Sequence, residues 1–330
     1  MKITNLLPNK IRYYLKVFFN ISRLSRDYVY DMRRFLKWTA TNSINSQQKL
    51  IGRIIVHYHI LEKGMNFEKM RPGYGQEIAK RLVELLNTYV ELGYNKSDYQ
   101  FKVACSVLSQ YFEVNKSLDL THIRSGVNFY IDNCFDCAKL GGKRYLKKED
   151  IDKVTAIDFK SFFESRHSIR EFSEENVDVE YVFRALDIAK KYPSVCNRQS
   201  IRVYLIQGKD KVSEHLSYQN GNRGFNESIN TLLVVTSDLS LFDSSLERNQ
   251  PFIDGGIYLM GVLLSLHSVG LGAVTLNWST NKKMDEAYRS FSNIKESETI
   301  IAFIGVGHLK EEMTVPCSER NNIKDILTEL

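Results

Sequence analysis

The chain has 330 residues, enough for two ordinary domains or one large one, and its 43% hydrophobic and 25% charged content is that of a globular protein able to bury a core. The formal charge of +6 suits a phosphate-bearing ligand or a weakly acidic partner, and it is too small and too dispersed to argue for nucleic acid. Five cysteines make a poor disulfide framework for this length. With no secretory h-region and no apolar run long enough to span a bilayer, the expectation is a cytoplasmic protein.

From about residue 9 to 115 apolar residues recur at helical spacing: Ile11, Leu15, Phe18 and Phe19, then Ile51, Ile54, Ile55, Tyr58 and Leu61, then Ile78, Leu82, Leu85 and Leu86. The first helix is basic and amphipathic, with Lys10, Arg12, Lys16 and Arg23 beside Phe18 and Phe19. It suits packing on the rest of the helical region better than lying on an anionic membrane. A polar stretch over 145–160 reads as a linker or lead-in helix, and the domain boundary is placed near 155, giving a helical region 1–155 and a second domain 156–330. Beyond it strands and helices alternate. A helix is expected over 179–192, strands over 201–208, 230–238, 273–278 and 299–308, and a helix over 254–272 that is apolar on nearly every face. Asp254 is a plausible N-cap for that helix and Gly270 a plausible residue just past its end.

Several short stretches carry candidate chemistry. In "SRHSIREFS" (165–173), Arg166 and Arg170 sit four apart, which on a helix would put two guanidinium forks on one face, with Ser168 near a helix start adding donors. The alternative is a solvated basic turn. The loop around "PSVCNRQS" (193–200) offers Asn197 and Gln199, whose carboxamides can read a heterocycle edge; it also reads as an ordinary helix-to-strand loop. Cys134 and Cys137 form a lone CxxC without a second pair, so free or structural thiols are expected. His57, His59 and Glu62 lack further ligands at metal-site spacing, and His267 reads as a satisfied core histidine. No metal is expected. "GLGA" (270–273) follows a helix rather than a strand, and neither a Walker A loop nor a GxSxG elbow occurs.

Taken in order, "SRHSIREFS", "PSVCNRQS", "DGGIYLMGVLLSLHSVGLGA", "IGVGH" and "VPCSER" resemble the FMN-dependent nitroreductase family over about 160–330. "HILEKGMNF" and "RPGYG" look like a larger subgroup associated with polysaccharide biosynthesis, with a helical region before the flavin domain. The resemblance implies an α+β fold, a mixed central sheet wrapped by helices. It also implies a homodimer with FMN at the interface and helix 255–269 at the dimer core. It places Arg166, Ser168 and Arg170 at the FMN phosphate and ribityl chain, with His167 acting through its backbone, and Arg320, helped by Ser318, closing on the phosphate. Pro193, Ser194 and Asn197, with Gln199 beside them, match the loop that reaches the flavin of the other subunit. Leu276, Asn277 and Trp278 fall where the family sets backbone amides near the reactive flavin nitrogen, and Asn222 and Arg223 fall at the site mouth. Ser200 stands where the family often has proline.

The implied chemistry is ping-pong hydride transfer from NAD(P)H through FMN to a small organic acceptor, with the flavin rather than a side chain as the catalyst. Two alternatives remain open at this stage. One is a flavin-dependent dehydrogenase or dehalogenase on the same fold. The other is a peripheral membrane or scaffold protein without redox activity.

Overall fold

A computed structural model describes residues 8–66, 71–127, 130, 140–142, 147–148, 157–316, 318, 320 and 322–330. The expected boundary near 155, the CxxC cysteines Cys134 and Cys137, and most of the 145–160 segment lie outside the described residues. The helical region holds α1 (Asn9–Trp38), α2 (Gln47–Met65), α3 (Gln76–Glu91), α4 (Tyr99–Val114) and the single turn α5 (Thr121–Arg124). Then follow α6 (Phe159–Ser165), α7 (Val179–Ala189), β1 (Ile201–Gln207), α8 (Lys209–Leu216), β2 (Thr231–Asp238), α9 (Gln250–Ser268), β3 (Leu271–Asn277), α10 (Lys282–Ser292) and β4 (Glu298–His308). The fold is α+β, as expected, with one sheet between helices.

The sheet has strand order β1-β2-β4-β3, and its strands pair antiparallel throughout. Its parallel component is a single bridge between Ser168 and Ala273 on the outer edge of β3. Strand β2 is buried along its whole length, which is why it reads as an apolar run rich in β-branched residues. Its alternate residues serve two cores. Leu232 and Val234 join Val212, Leu216 and Tyr288 of α8 and α10, while Leu233 and Val235 join Val182, Ala185, Tyr258 and Val262 of α7 and α9. A third core is built by α2, α3 and α4 and takes in Leu241 from the sheet-bearing part. Among the described residues no helix is long and apolar enough to cross a membrane.

Three sequence expectations change. Helix α9 begins at Gln250, with Pro251 in its first turn, so Asp254 lies one turn inside rather than at the N-cap; Gly270 does follow its end, at φ 81°. Within one chain α9 buries only one stripe, through Tyr258, Val262 and Leu266, and leaves Phe252, Ile253 and Ile257 exposed. Phe18 and Phe19 do not pack on the helical region: α1 has no buried residue, because it docks through a polar stripe.

One of the contacts between the helical region and the sheet region is tight. Gly52 of α2 lies so close to the main chain at Leu241 that a Cβ there would come within 2.9 Å of the Leu241 carbonyl oxygen and 3.0 Å of its Cα. Main chain has no rotamer with which to yield. Gly52→Val is therefore expected to lose about 2 kcal/mol of stability, read as a lower urea midpoint. An unchanged midpoint would mean that α2 and the 239–241 turn separate freely.

Candidate functional site

The arginine segment is not helical. Helix α6 ends at Ser165, Arg166 is already extended (φ −74°, ψ 121°), and Ile169 donates its N–H to the Ala273 carbonyl at 3.0 Å. Arg166, Ser168 and Arg170 still share a side, because in extended chain residues two and four apart point the same way. Ser168 owes its place to the bridge with β3 and not to a helix start.

That side opens onto a cleft of about 540 Å³ lined by Arg166, His167, Ser168 and Arg170 from one segment and Ser318 and Arg320 from near the C-terminus. Phe163, Glu164, Val315 and Pro316 complete its wall. Three guanidinium groups separated by up to 154 positions (320 − 166) thus converge. Among the described residues none of the three pairs with a carboxylate. Arg170 and Arg320 donate only to the nearby carbonyls of Ser168 and Ser318, and the buried Nε of Arg166 has no partner. Unpaired cations and an unfilled donor in one concavity form a receptor for a multiply charged oxyanion.

The cavity next to it, about 150 Å³, is lined by Arg166, His167, Gly272, Ala273 and His267. His267 is half-buried rather than core, and its Nε2 lies 2.7 Å from the Ser165 hydroxyl. Burial first, then the nearby Arg166 and His167, push its pKa below the ordinary 6.5. It stays neutral and adds no charge to the wall.

Strand β3 is the outer strand of the sheet. Its Ala273 carbonyl faces outward to Ile169, so alternation points the N–H groups of Thr275 and Asn277 outward as well. Both residues are exposed, and the Asn277 carbonyl accepts from Gln219 Nε2 at 2.7 Å. Leu276 points into the core. Trp278 stacks on Phe303 at 5.0 Å and donates from Nε1 to Asp285 at 2.8 Å. Beyond Gln219, Asn222 is buried with its amide committed to the Leu216 carbonyl, while Arg223 is exposed. Arg170 lies over the ring of Phe225 at 5.9 Å, and its carbonyl accepts from Ser228.

The other expected group stands elsewhere. The loop with Pro193, Ser194, Asn197 and Gln199 precedes β1, at the opposite edge and the opposite end of the sheet from Ser168. Ala273 is joined through Val306 and Thr231 to Gln207, and β1 then runs six residues back to Ile201. By standard sheet dimensions that diagonal is roughly 25 Å. The loop holds three non-glycine residues in left-handed conformation, Cys196 (φ 48°), Asn197 (φ 53°) and Gln199 (φ 51°), with Asn197 and Gln199 exposed. Such strain persists only where the surroundings fix it, and it concentrates at ligand-contacting segments.

The fixing residues were not evident from the sequence. Asp254 accepts the Val195 N–H on both carboxylate oxygens at 3.3 and 3.2 Å, and burial raises its pKa against the opposing pull of Gln250 and that N–H. Arg198 is buried and donates to Glu247 and, at 2.8 Å, to the Leu241 carbonyl; Asp243 nearby also holds Arg53 of α2 at 3.3 Å. Ser200, in place of a proline, is buried with its hydroxyl 2.9 Å from that of Ser237. The arginine and serine types were in plain view in the loop, but only the fold shows which side chains turn inward.

The remaining candidates have structural partners. His57 Nδ1 lies 2.7 Å from the Arg53 carbonyl, and His59 pairs with Glu62, which also accepts from Gly142. Burial pushes the Cys105 thiol up to about 12.

A family model described as the Nitroreductase family matches residues 163–220, which takes in the arginine segment and the strained loop and leaves out 276–278 and 318–320. Among solved structures the chain is similar to an FMN-dependent nitroreductase from Clostridium difficile R20291, with 18% identity over 51% of this chain and 98% of that one and a TM-score of 0.44. It is also similar to a nitroreductase family protein from Streptococcus pneumoniae TIGR4 (18% identity, 52% and 100%, TM-score 0.45). A protein from Desulfovibrio desulfuricans solved in complex with FMN is a third (20% identity, 53% and 97%, TM-score 0.46). No curated protein matches the chain.

The Arg198–Glu247 pair makes a pH prediction. Burial alone would raise the Glu247 carboxyl, but the Arg198 hydrogen bond and the Asp243 and Ser244 N–H groups outweigh it and hold the pKa below the ordinary 4.5. A depressed folded pKa stabilises above the unfolded value, and that contribution is lost as pH falls through the folded one. Wild-type stability should therefore drop as pH falls below about 4.5. Glu247→Gln should cost about 3 kcal/mol at neutral pH and flatten that acid slope, both read by denaturant midpoints across pH.

Proposed function

We propose that the chain is an FMN-dependent oxidoreductase that moves a hydride from NAD(P)H to a small organic acceptor. The carrying observation is the convergence of Arg166, Ser168 and Arg170 with Ser318 and Arg320 on one cleft, where among the described residues no carboxylate pairs with the arginines and the Arg166 Nε is unfilled. A phosphate monoester dianion fits that donor set. The FMN, when bound, would supply the redox chemistry.

The chain's own residues have separate tasks. Arg166, Arg170 and Arg320 neutralise the phosphate, and the Ser168 and Ser318 hydroxyls donate to it. The outward N–H groups of Thr275 and Asn277 offer fixed donors for the edge of the ring system, which need not reorganise as charge develops there. Trp278 keeps that end of β3 in place through Phe303 and Asp285. Arg223 stands exposed near the mouth, and Asn222 anchors the loop that carries it.

Pro193, Ser194, Asn197 and Gln199 are too far from the arginine cleft to clasp the same mononucleotide within one chain. In this reading a second copy brings its 193–199 loop to the first copy's cleft, and the exposed face of α9, with Phe252, Ile253 and Ile257, is covered in the same homodimer. The acceptor is left to the open part of the cleft, and a biosynthetic intermediate of a polysaccharide pathway accords with the N-terminal motifs.

Purified protein is expected to show a flavin spectrum that bleaches on anaerobic addition of NADH or NADPH. Colourless protein that takes up no FMN would overturn the reading. Arg166→Ala should weaken FMN binding roughly ten- to hundredfold, the worth of about 1.5–3 kcal/mol for hydrogen bonds to a charged group, without loss of the folded assembly. The divided site has its own test. Arg166→Ala and Asn197→Ala chains, each defective alone, should regain tight FMN binding at roughly a quarter of all sites when co-expressed, because a mixed dimer holds one intact site. No recovery would place both groups of residues on the same site of one chain or on different sites.

A further inference from the structure

Helix α1 has a docking side and a free side. Of its half-buried residues, Asp27, Tyr30, Arg34 and Trp38 recur at three- and four-residue spacing, with Val17 and Phe35 on the flank. They lie on the side that meets the sheet region. Tyr30 donates to Asp285 at 2.8 Å, Arg34 to the Glu296 and Glu298 carbonyls at 2.9 and 2.7 Å, and Asp27 accepts the Lys282 N–H at 3.3 Å. At 100° per residue, Ile11, Tyr14, Phe18, Ile21, Tyr28 and Met32 fall on the opposite side. Each of the six is between 47% and 66% exposed.

This inverts the usual arrangement. A surface helix normally turns its apolar stripe to the core and its charges to water. Here polar groups hold the helix to the protein and the first part of the stripe, Ile11, Tyr14, Phe18 and Ile21, faces away from it, while Tyr28 and Met32 line a cavity of about 320 Å³ with Phe252 of α9. From Asn9 to Arg26 the helix carries five cations, Lys10, Arg12, Lys16, Arg23 and Arg26, and no carboxylate. Lys10 and Arg26 flank the apolar stripe on either side by the same 100° geometry.

We infer that α1 is a membrane-surface helix that seats the protein on an anionic bilayer. An interfacial helix needs its apolar face in the acyl boundary, its cations near lipid phosphates and the rest of the protein on the water side. The docking side of α1 supplies the last of these. Arg12, Lys16 and Arg23 fall on the polar side of the same helix, and a second copy seated on the stripe would set Lys10 and Arg26 against their own counterparts, a contact that like charges oppose. An acidic surface answers both halves of the helix. The inference is independent of the flavin reading, because it rests on no residue of the cleft.

The test is co-sedimentation of the full chain with vesicles of phosphatidylcholine alone and with about 30 mol% phosphatidylserine. Binding to the anionic vesicles and its weakening by added salt are expected. Phe18→Asp with Ile21→Asp should reduce that binding at least tenfold, and Lys10→Glu with Arg26→Glu should do the same. Circular dichroism and FMN content check that each variant remains folded. No binding to either vesicle, or binding that the Phe18 and Ile21 changes leave intact, overturns the inference. So does a shift of those variants to a smaller oligomer without lipid, which would assign the stripe to a second copy.

Discussion

One backbone hydrogen bond, from Ile169 to Ala273, decides where the charges of this protein stand. It lays the segment after α6 against the outer edge of β3 and keeps that segment extended. Extension sets Arg166, Ser168 and Arg170 on one side, and the sheet edge supplies a rigid floor. The C-terminal Arg320 then has a fixed pair of guanidinium groups to join. Without that bridge the three arginines would be mutually repelling surface cations. With it they line one cleft, and their mutual repulsion is what a bound anion would relieve.

The second half of the proposed site is fixed by different means. The 193–199 loop is held in left-handed backbone by a carboxylate from α9 and by a buried guanidinium tied to the 241–247 turn. That turn is also the contact point of α2, through Gly52 and Arg53. The helical region therefore acts on the loop in two ways, by lying against Val195–Asn197 through α2 and by setting the position of the turn that anchors Arg198. Its own core, with Tyr58, Leu82 and Leu108, makes it a stiff support.

Much of the fold was legible. β2 announced itself by a short apolar run rich in β-branched residues because both its faces are buried, and the helices of the first region by their three- and four-residue spacing. What failed did so for physical reasons. Asp254 looked like a cap because acidic residues before an apolar run usually are; here Pro251 opens the helix earlier and the carboxylate serves a loop across the fold. Arg166 and Arg170 were set on one face by helical reasoning, and they share a face because four is also a multiple of the strand period. Arg198 and Glu247 were invisible as partners, since nothing in the order of residues tells that the loop's arginine turns inward to a carboxylate 49 positions on. The amphipathic pattern of α1 was plain, but its orientation was not. A pattern fixes two sides of a helix and leaves open which of them meets the protein.

Asp285 gathers three elements at a single carboxylate: Tyr30 from α1, Trp278 from the end of β3 and Arg289 from its own helix. Burial would raise its pKa, but these neighbours together hold it below the ordinary 3.8, so it stays charged. Its role reaches beyond local packing. A chain trimmed to begin at α2 would not be a smaller copy of the same protein. It would keep a buried anion with one donor missing, beside the tryptophan that steadies the end of β3. The first helix is thus stitched to the sheet region by its polar side, and a cut between α1 and α2 would part groups that depend on each other.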